Sequence, residues 1–389
     1  MTGTIYNNAP AQSYNITIGN NSQVYIIYEN GEKAGHNGEN PDISVKGIND
    51  ANNVISDANN ALKTKDTEEI QEIINAVYNG KKADNMQLSV RYRKIGRYDL
   101  DNYYDKKGVR LENCSTYLAF AKIEGKYKMV KTNLCRVRLC PMCAYKRSLA
   151  VYRNTRQIYD YLLENEPHSK FLFITLTIRN VNGARLKSAL DALNKGFQNI
   201  VRQKAFKKIA LGTLRTIEIT YNKDTGMYHP HIHVLLHTST ELYAGRNYIT
   251  QERLSQMWAS AAGITEYIPV VDIRAFKANT KRELAEVAKY SVKPSDYLNT
   301  PDSVLITLDD ILHKRHLLSL SGTFKRAKAA LKIKDMEEKE EYNNSFDDLE
   351  AELIIYKWHF GQDKYILDNS EKLSTVGGML SSIQHRNKL

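Results

Sequence analysis

The sequence predicts an α+β domain in which helices flank an antiparallel sheet, and three observations support this. Segments rich in β-branched and aromatic residues alternate with segments whose apolar residues recur at helical spacing. A polar stretch, 222–226 (NKDTG), joins two of the strand-like segments directly and is typical of a hairpin turn. The order strand, helix, hairpin, helix, strand, helix then favours one antiparallel sheet with helices on one face.

The N-terminal region, residues 1–85, is rich in Asn, Gly and Ser and has little apolar periodicity. We expect it to be largely disordered, with a strand-like segment at 23–28 and a helical segment at 66–78. No function can be assigned to it from its residues.

Net charge gives the first indication of function. The 389 residues carry a formal charge of +11, and nine carboxylates against one lysine make residues 335–352 net −8. The rest of the chain therefore carries +19 (+11 minus −8), which favours a polyanionic partner such as nucleic acid. No apolar run approaches the length of a membrane span and no signal peptide opens the chain, so we expect a cytoplasmic protein without membrane contact.

All four cysteines fall in a basic segment that we delimit at 86–165: they are Cys114, Cys135, Cys140 and Cys143. In a reducing compartment this spacing indicates a metal site more often than two disulfides. Four thiolates form a closed tetrahedral zinc site, which is structural because no position is left for water. The neighbouring Arg136 and Arg138 either contact DNA phosphates or form a solvated basic surface.

Three elements follow the cysteines. Apolar spacing predicts a helix at 145–163, β-propensity predicts a strand at 170–178, and a second helix is expected at 184–209. The second helix carries an exposed basic set, which we interpret as DNA-binding: Arg202, Lys204, Lys207 and Lys208. We place the start of the catalytic domain at residue 166 and its end at residue 326.

The hairpin contains the most informative strand, which reads YHPHIHVLL at 228–236. Residues two apart on a strand share a face, so His231 and His233 present two imidazoles together while the intervening apolar residues enter a core. Glu218 lies on the preceding strand, 214–220, where its carboxylate can reach both imidazoles across the ladder. Glu-His-His with open positions suits Mn²⁺ or Mg²⁺ acting on a phosphate oxygen. The alternative is a set of ordinary polar side chains on a half-buried strand.

Later elements are a helix at 251–261, a strand at 268–276, a helix at 281–291 and a strand at 315–322. On the helix at 281–291, Glu286 and Tyr290 lie four residues apart and share a face. A tyrosine nucleophile needs a nearby cation, which Lys293 can supply, and Glu286 can accept or relay a proton. Tyr297 is the rival nucleophile. The last region, 327–389, is predicted to be an acidic helical tail ending in an aromatic patch.

These residues resemble a known family. Residues 171–180 (FLFITLTIRN), 229–236 (HPHIHVLL) and 283–297 (ELAEVAKYSVKPSDY) occur in the order of the three motifs of bacterial rolling-circle plasmid replication initiators, within the HUH endonucleases. Residues 135–143 resemble the cysteine segment of one branch, and 314–325 resemble its last sheet strand. The resemblance covers residues 110–325.

The resemblance implies a small antiparallel sheet with the histidine strand at its centre and the tyrosine helix beside it. It also implies that His231 and His233 bind the metal, with Glu218 as an acidic third ligand. Tyr290 would attack a phosphate of single-stranded or hairpin origin DNA, leaving a 5′-phosphotyrosine and a free 3′-OH primer. Glu286 would activate water at termination, and the partners would be a host DNA helicase and polymerase.

Two alternatives stay open at this point. An HUH transposase or mobilisation relaxase would share the metal site and the tyrosine. A non-catalytic zinc-containing DNA-binding protein is the alternative of another class. The oligomeric state is not legible from the sequence, with a homodimer as one option.

Overall fold

The computed structural model describes residues 14–18, 24–28, 65–275, 281–289, 291–337 and 353–368. The chain divides into two compact units, Met1–Lys63 and Thr64–Leu389. In the first unit, β1 (Tyr14–Ile18) and β2 (Val24–Tyr28) form an antiparallel hairpin, and β2 falls on the predicted strand-like segment. The second unit contains the other elements.

The second unit begins with α1 (65–73), whose last turn widens into a π-helical turn at Ile74–Tyr78. The elements that follow are α2 (Asn79–Gly96), α3 (Tyr103–Glu112), β3 (Tyr117–Ile123), β4 (Lys126–Lys131), α4 (Pro141–Asn165), β5 (Ser169–Thr177), α5 (Gly183–Ile200), α6 (Lys204–Ile209), β6 (Gly212–Asn222), β7 (Met227–Ser239), α7 (Gln251–Ala262), β8 (Val271–Ala275), α8 (Lys281–Val287), α9 (Asp302–Leu312), β9 (Leu318–Ser321), α10 (Gly322–Ala330), β10 (Ile354–His359) and β11 (Lys364–Leu367).

The α+β prediction is confirmed. Five strands form one sheet in the order β8-β5-β7-β6-β9, and every neighbouring pair is antiparallel. The hairpin turn lies where the NKDTG stretch predicts it, with Asn222 opposite Met227. The histidine strand β7 is central, so its side chains are fixed from both sides by neighbouring strands.

The expectation that helices cover one face of this sheet is wrong, because helices cover both. One face packs against α5, α7 and α9 through side chains such as Leu190, Trp258 and Leu305. The other packs against α4, α8 and α10 through side chains such as Ile158, Leu284 and Phe324. A strand that lies between two layers of helices buries the side chains on both of its faces. Such a strand has a continuous apolar run, as β5 does at 171–174.

A second sheet of four antiparallel strands, β11-β10-β3-β4, lies beside the cysteine cluster. Strands β10 and β11 of this sheet belong to the region predicted to be an acidic helical tail, so the helical prediction is wrong for residues 354–367. The aromatic patch forms this β10–β11 hairpin, in which Tyr356, Trp358 and Tyr365 are buried. Alternating aromatic and polar residues favour a strand covered on one face. The acidic run at 338–352 lies outside the described residues.

The predicted disorder is also wrong for residues 65–85, which are helical. Ile70 and Ile74 are fully buried in the main core, as are the polar Lys82 and Asn85. The helix predicted at 66–78 is therefore the start of a longer helical segment whose apolar side is covered by the rest of the unit. Residues 1–13, 19–23 and 29–64 lie outside the described residues, so their disorder stays a prediction.

Two helix boundaries differ from expectation. The helix predicted at 184–209 is interrupted after Ile200, giving α5 and the short α6. The helix predicted at 281–291 ends at Val287, well before Pro294, which begins a short 3₁₀ turn. None of the described helices combines the length and apolarity that a membrane span requires.

Candidate metal centres and catalytic face

The alternation of β7 separates its side chains as the sequence predicts. Ile232, Val234 and Leu236 enter the core on one face, and His231 and His233 point to the other. On the partner strand β6, Glu218 pairs directly with His231, so the carboxylate lies across the ladder from the imidazoles. All three side chains are buried at 8% exposure or less. Such burial of polar groups requires that they satisfy one another or a bound ion.

Their donor atoms converge. His233 Nε2 lies 3.0 Å from Glu218 Oε2 and 3.1 Å from His231 Nε2, and His231 Nε2 lies 3.4 Å from the same carboxylate oxygen. Adjacent ligands of an octahedral ion with bonds of 2.0–2.1 Å are about 2.9 Å apart. The three atoms therefore fit three adjacent positions around one divalent ion, and leave other positions for substrate or water.

Hydrogen bonds on the far side of each ring fix the imidazoles. His231 Nδ1 donates to the carbonyl of His229 at 3.2 Å, and His233 Nδ1 lies 3.2 Å from Thr175 Oγ1 on the neighbouring strand β5. If a metal replaced the Nε2 contacts to Glu218, a proton kept on Nδ1 would leave Nε2 of each ring free to donate its lone pair. This is the usual outer support of metal-binding histidines.

The electrostatics of the cluster favour an ionised Glu218. Burial alone would raise its pKa, but hydrogen bonds from His231 and His233 and their charges outweigh burial and hold the pKa well below its ordinary value. Burial lowers the pKa of His233, while Glu218 and Glu286 oppose that shift. Lys293 Nζ lies 3.7 Å from Glu218 Oε1, on the open side of the cluster. An anionic carboxylate and neutral imidazoles are the ligand states that a divalent cation needs.

The segment after α8 runs along the same region. Glu286 is half-buried, pairs with Lys289, and is close enough for its charge to act on His233. Tyr290 lies outside the described residues. Its neighbour Ser291 is described, and the Ser291 carbonyl accepts a hydrogen bond of 2.7 Å from the amide of Ile219, the residue after Glu218. The chain on the C-terminal side of Tyr290 is thus attached to the metal-site strand.

Tyr297 differs from Tyr290 in being a core residue. Its side chain is 1% exposed, and its hydroxyl donates to the carbonyl of Leu139 at 2.7 Å. Arg91 donates to its backbone carbonyl. A buried, hydrogen-bonded phenol offers no attacking oxygen to a substrate.

The four cysteines form a second convergent cluster, in which all four sulfurs lie within 4.8 Å of one another. Sγ of Cys114 is 3.5 Å from that of Cys140 and 3.7 Å from that of Cys143, which is 3.7 Å from Cys135. These distances exclude disulfides, whose sulfurs bond at about 2.05 Å. Tetrahedral zinc with Zn–S bonds of about 2.3 Å separates its sulfurs by about 3.8 Å, so the cluster fits that ion.

Helix α2 supplies two polar side chains beneath the cysteines. Lys82 is fully buried and donates to the carbonyls of Glu112 and Cys114 at 2.6 and 2.7 Å. Burial lowers its pKa, and the neighbouring cysteines oppose that shift. Because four thiolates around Zn²⁺ leave a net charge of −2, a buried ammonium beside them offsets part of that charge.

Asn85 gives a separate test of the metal fit. Its Oδ1 lies 3.1 Å from Cys140 Sγ, and its buried Nδ2 has no hydrogen-bond partner among the described residues. Rotating the amide by 180° turns Nδ2 toward the sulfur as a donor. That arrangement suits a thiolate, which only accepts, and it gives Nδ2 a partner. The residues present therefore fit a metal-bound Cys140.

The predicted DNA-binding residues separate into two groups. Arg136 and Arg138 lie at the cysteine cluster, and the structure joins Arg138 Nη2 to Ser291 Oγ at 3.3 Å. The exposed basic set of α6 lies near the other end of β6, because α6 ends three residues before Gly212. Glu218 is six residues further, about 20 Å along an extended strand.

Sequence reasoning missed Lys82, Asn85, Thr175 and Ser291. Thr175 lies opposite His233 in the β5–β7 pairing, so the strand order, once known, could have found it. Lys82 and Asn85 have no such signal, because they approach the cysteines only through the packing of α2.

A family model described as Replication protein matches residues 126–366. Among curated relatives, Protein rep of Streptococcus pneumoniae serotype 2 (strain D39 / NCTC 7466) is 31% identical over 301 residues, which cover 75% of this chain and 92% of the relative. Protein rep of Bacillus amyloliquefaciens is 32% identical over 320 residues, covering 75% and 93%. Protein rep of Staphylococcus aureus is 35% identical over 191 residues, covering 48% and 82%. No solved structure matches the chain significantly.

The family match identifies a protein of DNA replication, and its matched residues include the antiparallel sheet, the histidine strand and three of the four cysteines. The chain belongs to the Replication protein family, and it is a plasmid rolling-circle replication initiator. Plasmid origin DNA is therefore its partner.

Proposed function

We propose that this initiator nicks the double-strand origin by metal-assisted transesterification, with Tyr290 as the nucleophile. The observation that carries the proposal is the convergence of Glu218, His231 and His233 beside the segment that contains Tyr290. A bound Mn²⁺ or Mg²⁺ would polarise a phosphate oxygen and stabilise the charge of the transition state. The buried Cys114, Cys135, Cys140 and Cys143 would hold Zn²⁺ as a structural ion.

The chemistry of the chain's own residues then follows. The Tyr290 hydroxyl attacks the scissile phosphorus, an O–P bond to tyrosine forms, and the bond from phosphorus to the 3′ oxygen breaks. The phenolic proton passes to water, and the leaving 3′ oxygen takes up a proton from water to become the 3′-OH. Lys293 lies 3.7 Å from Glu218 and balances its charge, and the same cation would favour the phenolate.

Termination requires a second cleavage. Glu286 activates a water molecule for the second cleavage, so that a single tyrosine suffices, and the strand is transferred or ligated. The free 3′-OH primes the host polymerase while a host helicase unwinds the plasmid in the bacterial cytoplasm. The same arrangement of residues would serve an HUH transposase or relaxase, but the family match favours replication.

The test uses the plasmid's own origin, supplied as a supercoiled circle and as a suicide oligonucleotide, with Mn²⁺. Tyr290→Phe should abolish nicking, while the matched Tyr297→Phe should nick, since it loses only a buried hydrogen bond to Leu139. Mass spectrometry of the trapped peptide should find the nucleotide on Tyr290. An adduct on Tyr297, or nicking by Tyr290→Phe, would overturn the assignment.

Glu286→Ala separates the two cleavages. This protein should still nick but should release DNA poorly, because no carboxylate activates the water. A single-turnover time course that follows nicked circles and released monomers shows whether the two steps separate. Equal loss of both would assign Glu286 to the first step alone.

A further inference from the structure

A basic cleft of about 650 Å³ opens between the cysteine segment, α3 and the turn that leads from α9 into β9. Among the residues that the structure describes, ten lysines and arginines and three carboxylates line it. Low-dielectric walls concentrate the field of like charges in a cleft, and a surplus of seven positive charges attracts a polyanion. We call this feature the basic cleft; Cys143 of the cysteine cluster lines it, whereas Glu218, His231, His233 and Glu286 do not.

Part of its charge is neutralised internally. Arg138 and Arg147 share Glu337, with distances of 3.3 and 3.5 Å. Arg136 and Lys314 differ from them. Both side chains are exposed, and no carboxylate of the described residues lies within ion-pairing distance of either. These two cations are therefore available to an external anion.

Backbone conformation marks the same two residues. Arg136 has φ of 60° and Lys314 has φ of 53°, both in the left-handed region. Glycine adopts this region without the steric cost that a Cβ brings. Strained residues of this kind concentrate at functional sites, where the side chain has a use that offsets the strain. Two basic side chains at such positions in one cleft indicate a binding role.

The basic cleft leads to the metal site. Arg138, on its wall, donates to Ser291, the residue after Tyr290. The carbonyl of Leu317, also on the wall, accepts a hydrogen bond of 2.9 Å from the amide of Ile217, the residue before Glu218. Two residues of the cleft wall are thus bonded to the chain neighbours of Glu218 and Tyr290, so DNA held in the cleft would lie beside the proposed nicking site.

We propose that the basic cleft binds the phosphate backbone of the DNA beside the nick, with Arg136 and Lys314 as its phosphate contacts. This inference rests on the proposed function, since it assumes that the cluster of Glu218, His231 and His233 is where DNA is cut. The cleft orients the backbone, and base-specific readout is not its role.

The experiment measures binding of origin DNA to the zinc-containing protein without added Mn²⁺ or Mg²⁺, so that it reports on the cleft whether or not the catalytic centre cuts. Arg136→Gly with Lys314→Gly removes both contacts and relaxes the backbone at both positions. Two lost contacts should weaken binding roughly 50-fold at ~0.1 M salt and reduce the log–log salt slope by about 1.8. Lys187→Gln with Lys195→Gln removes the same charge from exposed positions of α5 and should bind like wild type.

Three further measurements make the result decisive. Lys314→Gly alone, which is outside the cysteine loop, should weaken binding about eightfold, so a loss of zinc in the double variant cannot explain the effect. Glu337→Gln should tighten binding by releasing Arg138 and Arg147. A hairpin and a single strand of equal length show which form occupies the cleft. Wild-type affinity and slope for Lys314→Gly and for the double variant would overturn the inference, whereas a wild-type protein that binds but never cuts would overturn only the proposed function.

Discussion

The two convergent clusters of this protein both bring metal-ligand atoms together, but the cysteine cluster is closed and the Glu218–His231–His233 cluster is open. The four cysteines surround a point from all sides and lie under α2 and the four-stranded sheet. Glu218, His231 and His233 approach from one side, and Lys293 lies 3.7 Å from the Glu218 carboxylate. A closed set of ligands can only hold structure, whereas an open set can admit a phosphate.

The surroundings of each cluster show the same division. Backbone amides of the cysteine loop donate to its sulfurs, as from Arg136 to Cys143 at 3.3 Å and from Cys143 to Cys140 at 3.3 Å. The histidines are held instead by their outer nitrogens, through His229 and Thr175. Supporting groups thus stabilise the loop in the first case and orient lone pairs in the second.

Removing a ligand of the closed cluster should unfold the cysteine segment. Structural zinc contributes about 10–16 kcal/mol on binding, and three ligands retain only part of it, so Cys140→Ser should lower the free energy of unfolding by several kcal/mol. Elemental analysis after dialysis should find one zinc in the wild type and less in the variant, and thermal unfolding should show a lower Tm. A zinc-free protein with the wild-type Tm would refute the structural role.

Removing ligands of the open cluster should affect chemistry and leave the fold intact. His231→Gln with His233→Gln should reduce the nicking rate about 10³-fold or more, equivalent to about 4 kcal/mol, because the metal that stabilises the transition state is lost. Zinc content and Tm should stay near wild type. If elemental analysis shows that this variant has lost its zinc, the two clusters are not independent.

His237 shows that a histidine on the same face of β7 as His231 and His233 is not necessarily a metal ligand. It shares the face of His231 and His233, but stacks on Phe171 at 4.7 Å and contacts Ser169 and Thr323 at 2.9 and 2.8 Å. Burial lowers its pKa to about 4. A depressed pKa means that the unfolded chain binds a proton first, so stability should be full above about pH 6.5 and fall by about 2–3 kcal/mol toward pH 4.

Urea unfolding at several pH values checks this, with His237→Gln as the comparison. The wild-type stability should approach or fall below that of the variant as pH falls through this window, since only the wild type has the buried imidazole to protonate. A constant difference between the two proteins would show that His237 is not held neutral.

The smallest effect on nicking should come from removing the Thr175 hydroxyl, which holds the His233 ring in place. Thr175→Val keeps the shape of the side chain and removes the oxygen that contacts His233 Nδ1 at 3.2 Å. Loss of an outer hydrogen bond typically costs 10–100-fold in metal affinity, about 1.4–2.7 kcal/mol. The Mn²⁺ concentration for half-maximal nicking should rise accordingly, while Thr177→Val, whose hydroxyl donates to Val270, should leave it unchanged. An unchanged Mn²⁺ requirement in Thr175→Val would remove Thr175 from the metal site.

The candidate site was predictable where short-range geometry decides it. Strand alternation puts His231 and His233 on one face, and a hairpin turn of known length brings Glu218 opposite His231. Cysteine spacing similarly indicated one cluster. Lys82 and Asn85 were not predictable, because their place under the cysteines depends on how α2 packs, and no local pattern encodes that contact. The pairing of the C-terminal hairpin with β3 was likewise unpredictable, because pairing between strands far apart in the sequence leaves no periodic pattern in either strand.

The pairing of β10 with β3 has a consequence for how the protein is made. The hydroxyl of Tyr365 donates to the carbonyl of Ser115 across 250 residues of sequence. A ribosome adding about 5–20 residues per second needs about 12–50 s to make that length of chain. Throughout that time one edge of β3 lacks its final neighbour, although the last cysteine, Cys143, is made only 28 residues after Ser115. A fragment released before residue 354 would carry both clusters and an incomplete sheet, so quality control during translation would distinguish it from the finished initiator.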